Sequence, residues 1–248
     1  MSDIEVPESH PRYQSLLTRH RIEEGVAKGI TSIQGLIAEG RGEAFDYLLG
    51  ERTIESADAA ARAAAAHLLL ARHPVLSVNG NVAALVPGET VALADATGAD
   101  VEVNLFNRSD ERIRAIADHL REHGAEDVKG MTADARIPGI DHERARVDAD
   151  GIHDADVVLV PLEDGDRAEA LAEIGTTELV VDLNPLSRSA QAASVPIVDN
   201  VVRALPNMTD HARSLADADE AELDAIAEAF DPEAALTAAE RVIREPSG

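Results

Sequence analysis

From Tyr13 to Gly50 the apolar residues fall at helical spacing. Leu16, Leu17 and Ile22 open the pattern, and Ile30, Ile33, Leu36 and Ile37 continue it. Gly40-Arg41-Gly42 is expected to interrupt it, leaving a short helix over residues 43–49 that Gly50 closes in the left-handed conformation usual at helix ends. Ser56 opens an alanine-rich helix to about Arg72, stopped by Pro74. Alanine joins the best helix propensity to a small side chain, so this helix should lie close against a sheet. From Val75 the period changes. Short β-branched runs stand at 75–78, 101–105, 128, 157–160, 179–183 and 195–198, with helical stretches between them at 81–93, 110–123, 167–174 and 185–193. Near-continuous apolar strands need cover on both faces, so the pattern predicts an α/β fold with a mostly parallel sheet, helices on both sides and an N-terminal helical segment. Residues 134–152 are mostly polar and read as an excursion; residues 218–244 read as an acidic surface pair of helices.

The expected organisation is therefore a helical segment over 1–73, an α/β core over 74–214 and an acidic helical tail over 215–248. Aromatic residues make up only 2% of the chain, so the core must be built from Ala, Leu, Val and Ile. No stretch approaches the ~18 apolar residues of a membrane span, and the acidic start lacks an apolar signal region, so a cytoplasmic location is expected. The net charge is −25, and Lys28 and Lys129 are the only lysines among 22 basic residues. That balance suits a salt-rich interior, where the Debye length falls to about 3 Å at ~1 M and carboxylate repulsion is screened. It also argues against nucleic acid or anionic membranes as partners, since no basic stripe exists to replace phosphate counterions. With no cysteine, thiol nucleophiles, disulfides and cysteine-ligated metals are excluded. The helical pair His119 and His123 lacks the glutamate of a metalloprotease helix and reads as a solvated face.

Polar clusters stand where the strands end, and in a parallel sheet all those ends share one edge, outside which ligands bind. Ser77-Val78-Asn79-Gly80-Asn81 is a strand, glycine turn and helix start that could present backbone N–H groups to an anion, or be a plain turn with Asn81 as N-cap. Asn104 and Arg108 end the next strand. Glu163-Asp164-Gly165-Asp166-Arg167 offers carboxylates that could hold Mg²⁺ through water or cap a helix. In Asp182-Leu183-Asn184-Pro185-Leu186-Ser187-Arg188-Ser189, Asn184 and Ser187 suit a ribose or base and Arg188 a phosphate; capping by Asn184-Pro185 leaves Asp182, a charge at the end of a buried strand, unexplained.

Together these segments resemble the archaeal 4-phosphopantoate–β-alanine ligase family, also called phosphopantothenate synthetase. The likeness rests on His10-Pro11-Arg12-Tyr13, the block from Gly35 to Gly50, Ser77 to Asn81, Glu102 to Phe106, Val160 to Arg167, Asp182 to Arg188 and Ile197-Val198-Asp199-Asn200. These run in order over roughly residues 10–206, with the tail after about Ser214 outside the likeness. The resemblance implies a Rossmann-like core, a homodimer, and condensation of 4-phosphopantoate with β-alanine at the expense of ATP and Mg²⁺, on the route to coenzyme A. It implies ATP contacts at Arg19, Arg41, Asp182, Leu183, Asn184, Arg188, Ser189, Asp199 and Asn200. The acid and amine side is expected at Arg41, Asn79, Asn81, Asn104, Arg108, Glu163 and Asp164, with the metal ligands left open. An NAD(P)-dependent oxidoreductase is the first alternative, resting on the strand–glycine–helix turn; Glu102 could mimic a ribose acid but lies inside a strand rather than at its end. The turn lacks the third glycine of the dinucleotide fingerprint. A non-catalytic nucleotide-binding protein is the second.

Overall fold

The computed structural model describes residues 7, 9, 10, 12–162 and 165–245. Three helices come first: α1 (Tyr13–Ala27), α2 (Ile33–Leu49) and α3 (Glu55–Leu70). The α/β part alternates β1 (Pro74–Val78), α4 (Gly80–Leu85), α5 (Pro87–Thr97), β2 (Asp100–Val103) and α6 (Asp110–Glu122). An excursion with a small antiparallel pair, β3 (Ala135–Arg136) and β4 (Arg146–Val147), leads to β5 (Val157–Pro161) and α7 (Gly165–Glu173). Then come β6 (Thr177–Asp182), α8 (Arg188–Ala192), β7 (Val195–Val198), α9 (Val201–Ser214), α10 (Glu220–Glu228) and α11 (Pro232–Arg244).

Five strands form one parallel sheet in the order β2-β1-β5-β6-β7. The chain leaves β1 toward one side and later returns on the other at β5, so the connections diverge between these two strands. A crevice opens at such a switch point, outside the carboxyl ends. Period-two alternation divides the core. Leu76, Val78, Leu159, Leu179 and Val181 face a layer with the alanines of α3, while Val75, Val158 and Val160 face Leu171 of α7 and Ile137, Val147 and Ile152 of the excursion. Ala60, Ala61, Ala64 and Ala65 are wholly buried, which is how α3 approaches the sheet without large side chains.

Several expectations are corrected. Gly40-Arg41-Gly42 does not break a helix: α2 runs unbroken over it, and the interruption lies earlier, at Lys28 to Ser32. A methyl group on Gly42 would sit 3.1 Å from Asn200 Nδ2 and one on Gly35 2.4 Å from Asn81 Oδ1, so these glycines let α2 lie directly on the sheet's edge. Pro87, which cannot donate to the preceding turn, divides residues 81–93 into α4 and α5. The run at Val128 makes a single parallel bridge, Glu102 with Lys129, rather than a strand. The acidic helices are not merely a surface pair: Ala239 of α11 is fully buried, and Leu236, Val242 and Ile243 pack beside Phe45 and Val198.

Candidate active site

At the switch point lies a crevice of about 320 Å³. Its floor is the β1–α4 turn, with Asn79, Gly80 and Asn81; Leu162 borders it from β5, Phe106 and Asn107 follow β2, and α2 roofs it with Gly35, Ala38 and Arg41. Three arginines line it, Arg41, Arg112 and Arg144, and no Asp or Glu among the described residues does. In a chain with 47 acidic residues, a wall set with three guanidinium groups and, among the described residues, with no carboxylate suits an anion. A larger groove of about 850 Å³ between α3, α10 and α11 carries Glu55, Asp58, Glu222 and Asp231 against Arg62 and Arg241. Its field opposes an anion.

The two asparagines of the turn hold the frame. Asn79, rather than Asn81, is the N-cap of α4: its Oδ1 accepts from the backbone N–H groups of Asn81 (3.0 Å) and Val82 (3.1 Å). Its Nδ2 donates to the Pro161 carbonyl at 3.0 Å, tying β1 to β5 across the switch point. Two of the N–H groups expected to meet an anion are thus already used. Asn81 is buried; it accepts from the Thr31 hydroxyl at 2.5 Å and donates to the Gly35 carbonyl at 3.0 Å, which fixes the start of α2 over the turn.

Asn104 and Arg108 turn toward the excursion instead of the crevice. The Asn104 amide donates to the carbonyls of Arg144 and Arg146, both at 3.1 Å, and so carries the Arg144 turn to the rim. Arg108 donates to the Gly130 carbonyl at 2.7 Å, and burial lowers its pKa. Beneath them Glu102, fully buried, accepts from the backbone N–H groups of Asp148 (3.0 Å) and Ile152 (2.6 Å). Burial drives its carboxyl up to about 7 even against those bonds. Committed to the excursion, Glu102 has no oxygen to offer a ribose, and the oxidoreductase alternative loses its acid.

Along the same edge α2 continues over β6 and β7. A second cavity, about 20 Å³, lies between Thr18, Glu39, Gly42, Leu183 and Asn200; Ala38, Asn81 and Leu162 form its wall with the crevice. Leu162 adopts φ 58°, a left-handed conformation unusual for leucine. Arg19 is bound to Glu43, which also accepts from Arg12 and Tyr47. Burial alone would raise the Glu43 carboxyl, but the hydrogen bonds from Arg19 and Tyr47 bring it below its ordinary value.

In the β6–α8 loop, Asp182 is explained locally: its carboxylate accepts from Asn184 N (3.1 Å) and the Ser187 hydroxyl. Asn184 is exposed and is not a helix cap; Ser187 caps α8, with Ser189 buried in its first turn. Arg188 is exposed, folds over Gly165 and pairs with Asp166 at 2.7 Å. Asp199 lies lower, 1% exposed, bound to Thr53 and to Arg203, which also reaches Asp46; Asn200 caps α9 and donates to Asp46 at 3.0 Å. Glu163 and Asp164 lie outside the described residues. The structure thus brings Arg41, Asn79 and Asn81 to the crevice, Leu183 and Asn200 to the small cavity, and Asp182, Asn184, Arg188 and Ser189 to the adjoining loop.

Sequence reasoning missed Thr31, Glu39, Arg112 and Arg144. Thr31-Ser32 after Gly29 is a legible helix start, but the expected break lay at Gly40-Arg41-Gly42 instead. Nothing local marks Arg144, which reaches the crevice only through the folding of the excursion onto β2.

A family model described as phosphopantothenate/pantothenate synthetase matches residues 56–246, so the likeness extends through α10 and α11 rather than ending near Ser214. The chain is 57% identical over 229 residues to a protein of Thermococcus onnurineus, covering 92% of this chain and 88% of that one. It is 59% identical over 221 residues to one of Thermococcus kodakarensis (89% and 85%), and 53% over 245 residues to one of Methanosarcina mazei (99% and 96%). All three relatives bear the name 4-phosphopantoate–β-alanine ligase.

Proposed function

The chain belongs to the phosphopantothenate/pantothenate synthetase family, and from that premise we propose that it joins 4-phosphopantoate to β-alanine. ATP is consumed, AMP and diphosphate are released, and 4′-phosphopantothenate is formed for coenzyme A synthesis. The observation that carries this reading is the convergence of Arg41, Arg112 and Arg144 on one crevice at the sheet's switch point. A phosphorylated carboxylic acid is the kind of ligand such a wall selects.

The chemistry asks for little beyond charge and placement. The substrate carboxylate attacks the α-phosphorus of ATP as diphosphate leaves, and the amine then displaces AMP from the activated carbonyl. Both steps gain from cations fixed where negative charge builds up. Arg41, Arg112 and Arg144 hold the acid's phosphate, while Asn79 and Asn81 keep α4 and α2 in place around it. The nucleotide lies along the β6–α8 loop, against Asp182, Leu183, Asn184, Arg188 and Ser189, with Asp199 and Asn200 supporting that edge and Arg19 beside it. Among the described residues no group of three His, Asp or Glu side chains converges as a metal site. Mg²⁺ bound with the nucleotide would supply charge neutralisation as diphosphate leaves, and holding it would need only one or two protein carboxylates.

A second copy of the chain fits the outer face of α2. Ile33 (73%), Ile37 (71%), Tyr47 (60%) and Leu48 (46%) are exposed along it, beside the roof of the crevice. A homodimer would cover these side chains, and light scattering of Ile37→Glu should then give half the mass of the parent. No helix among the described residues is long and apolar enough to cross a membrane.

One assay tests the activity: ATP, Mg²⁺, 4-phosphopantoate and β-alanine in molar KCl. AMP whose release requires both substrates supports the ligase. Nucleotide binding without turnover, or absorbance changes with a nicotinamide cofactor, would move the protein to another class.

A further inference from the structure

Glu39 stands apart from the other buried acids near the sheet's edge. Glu43 is bound to Arg12 and Arg19, and Asp46 and Asp199 to Arg203. Glu39 accepts from a neutral hydroxyl, Thr18 Oγ1, at 3.0 Å. Among the described residues it is the one ionisable side chain lining the small cavity, with Thr18, Gly42, Asn81, Leu162, Leu183 and Asn200 around it. That cavity of about 20 Å³ admits one water-sized group, the size of an ammonium head. Only Ala38, Asn81 and Leu162 separate it from the arginine-lined crevice. The edge therefore carries two adjoining lobes of opposite character, one cationic and one with a single carboxylate.

Resting on the ligase reading above, we propose that Glu39 is a catalytic residue which receives the amino group of the amine substrate and removes the proton that keeps it from attacking. An alkylammonium has a pKa of about 10, so at neutral pH almost none of the amine is nucleophilic. The carboxylate takes one proton from the ammonium. The freed nitrogen lone pair forms the C–N bond at the activated carbonyl, and the C–O bond to the AMP phosphate breaks. A second proton, shed from the nitrogen as the tetrahedral centre collapses, leaves with the departing phosphate. Burial raises the carboxyl of Glu39, opposed by the Thr18 hydrogen bond, while Glu43 and Asp46 add to the rise and Arg19 opposes it. A base so tuned holds a proton more readily than an exposed glutamate does. Arg19 and Arg203, the cations facing this region from α1 and α9, are engaged by Glu43 and by Asp46 and Asp199, so neither neutralises it directly.

The test compares the full chain with Glu39→Gln in molar KCl by three measurements. Exchange of labelled diphosphate into ATP, dependent on 4-phosphopantoate, needs no amine. Amide formation with β-alanine needs the base. Capture of the activated acid by hydroxylamine, a nucleophile already neutral at pH 7, does not. The expected result is exchange and hydroxylamine capture within about twofold of the parent, with kcat/KM for β-alanine at least about 100-fold lower. The pH profile should change as well, from a plateau in the parent to a tenfold rise per pH unit in the variant, as only free amine reacts. An unchanged rate with β-alanine, or an equal loss with β-alanine and hydroxylamine, overturns the assignment. A parent with no 4-phosphopantoate-dependent exchange fails at the earlier step and takes the ligase reading down with it.

Discussion

The two halves of the sheet's carboxyl edge are built from similar residues and do different work. Around β1 and β2 three arginines line a crevice to which no Asp or Glu among the described residues contributes, and the polar groups beneath them serve as props. Around β7, Asp199, Asn200, Arg203, Asp46 and Thr53 satisfy one another in a closed network that fastens α2 to α9. The lesson is that polarity at a strand end does not by itself mark a ligand. What matters is whether the charges are neutralised inside the protein or left for something else to neutralise.

The comparison can be broken where it is most costly. Asp199→Ala would leave Arg203, 18% exposed, with Asp46 as its remaining carboxylate. Loss of one member of a buried ion pair should remove roughly 3 kcal/mol, seen as a lower denaturation midpoint in molar KCl. A change below about 1 kcal/mol would mean the network is not the fastening described. The excursion carrying Arg144 rests on Glu102, whose carboxyl is raised from 4.5 to about 7. The folded state therefore holds this proton more tightly than the unfolded chain does. Its stabilising effect is complete below pH 4.5 and is lost as the pH climbs to 7, by up to roughly 3 kcal/mol. Titrating stability between pH 4.5 and 8 for the parent and Glu102→Gln should show this fall in the parent and a flatter curve in the variant. The mildest change falls on the open side. Arg41 is exposed on α2, and Arg41→Ala should leave the unfolding midpoint in place while turnover drops at least tenfold, about 1.4 kcal/mol of barrier. Unchanged kinetics would remove Arg41 from the site.

Much of this was legible beforehand because it depends on local pattern. The apolar runs marked all five strands of the main sheet, and the polar residues after them stand at its carboxyl edge. Asn79 and Asn81 were singled out by their glycine, although which of them caps α4 was reversed. Helix α2 was misread for a physical reason: two glycines in a helical stretch cost stability locally, and only the close packing of Gly35 on Asn81 and Gly42 on Asn200 compensates for it. Asp182 looked like a charge awaiting a ligand, whereas a turn of five residues brings the Ser187 hydroxyl back to it.

The amino-acid sequence by itself determined the alternation of strands and helices, the parallel sheet it requires and the acidic character of the surface, since these follow from side chains within a few residues of each other. Tertiary structure alone decided which charges come together. Arg112 and Arg144 reach the crevice from separate elements, Arg108 is drawn away to the Gly130 carbonyl, and Glu39 is buried among neutral groups while Glu43, one helical turn on, is paired. Electrostatic interactions depend on distance and burial rather than on order along the chain.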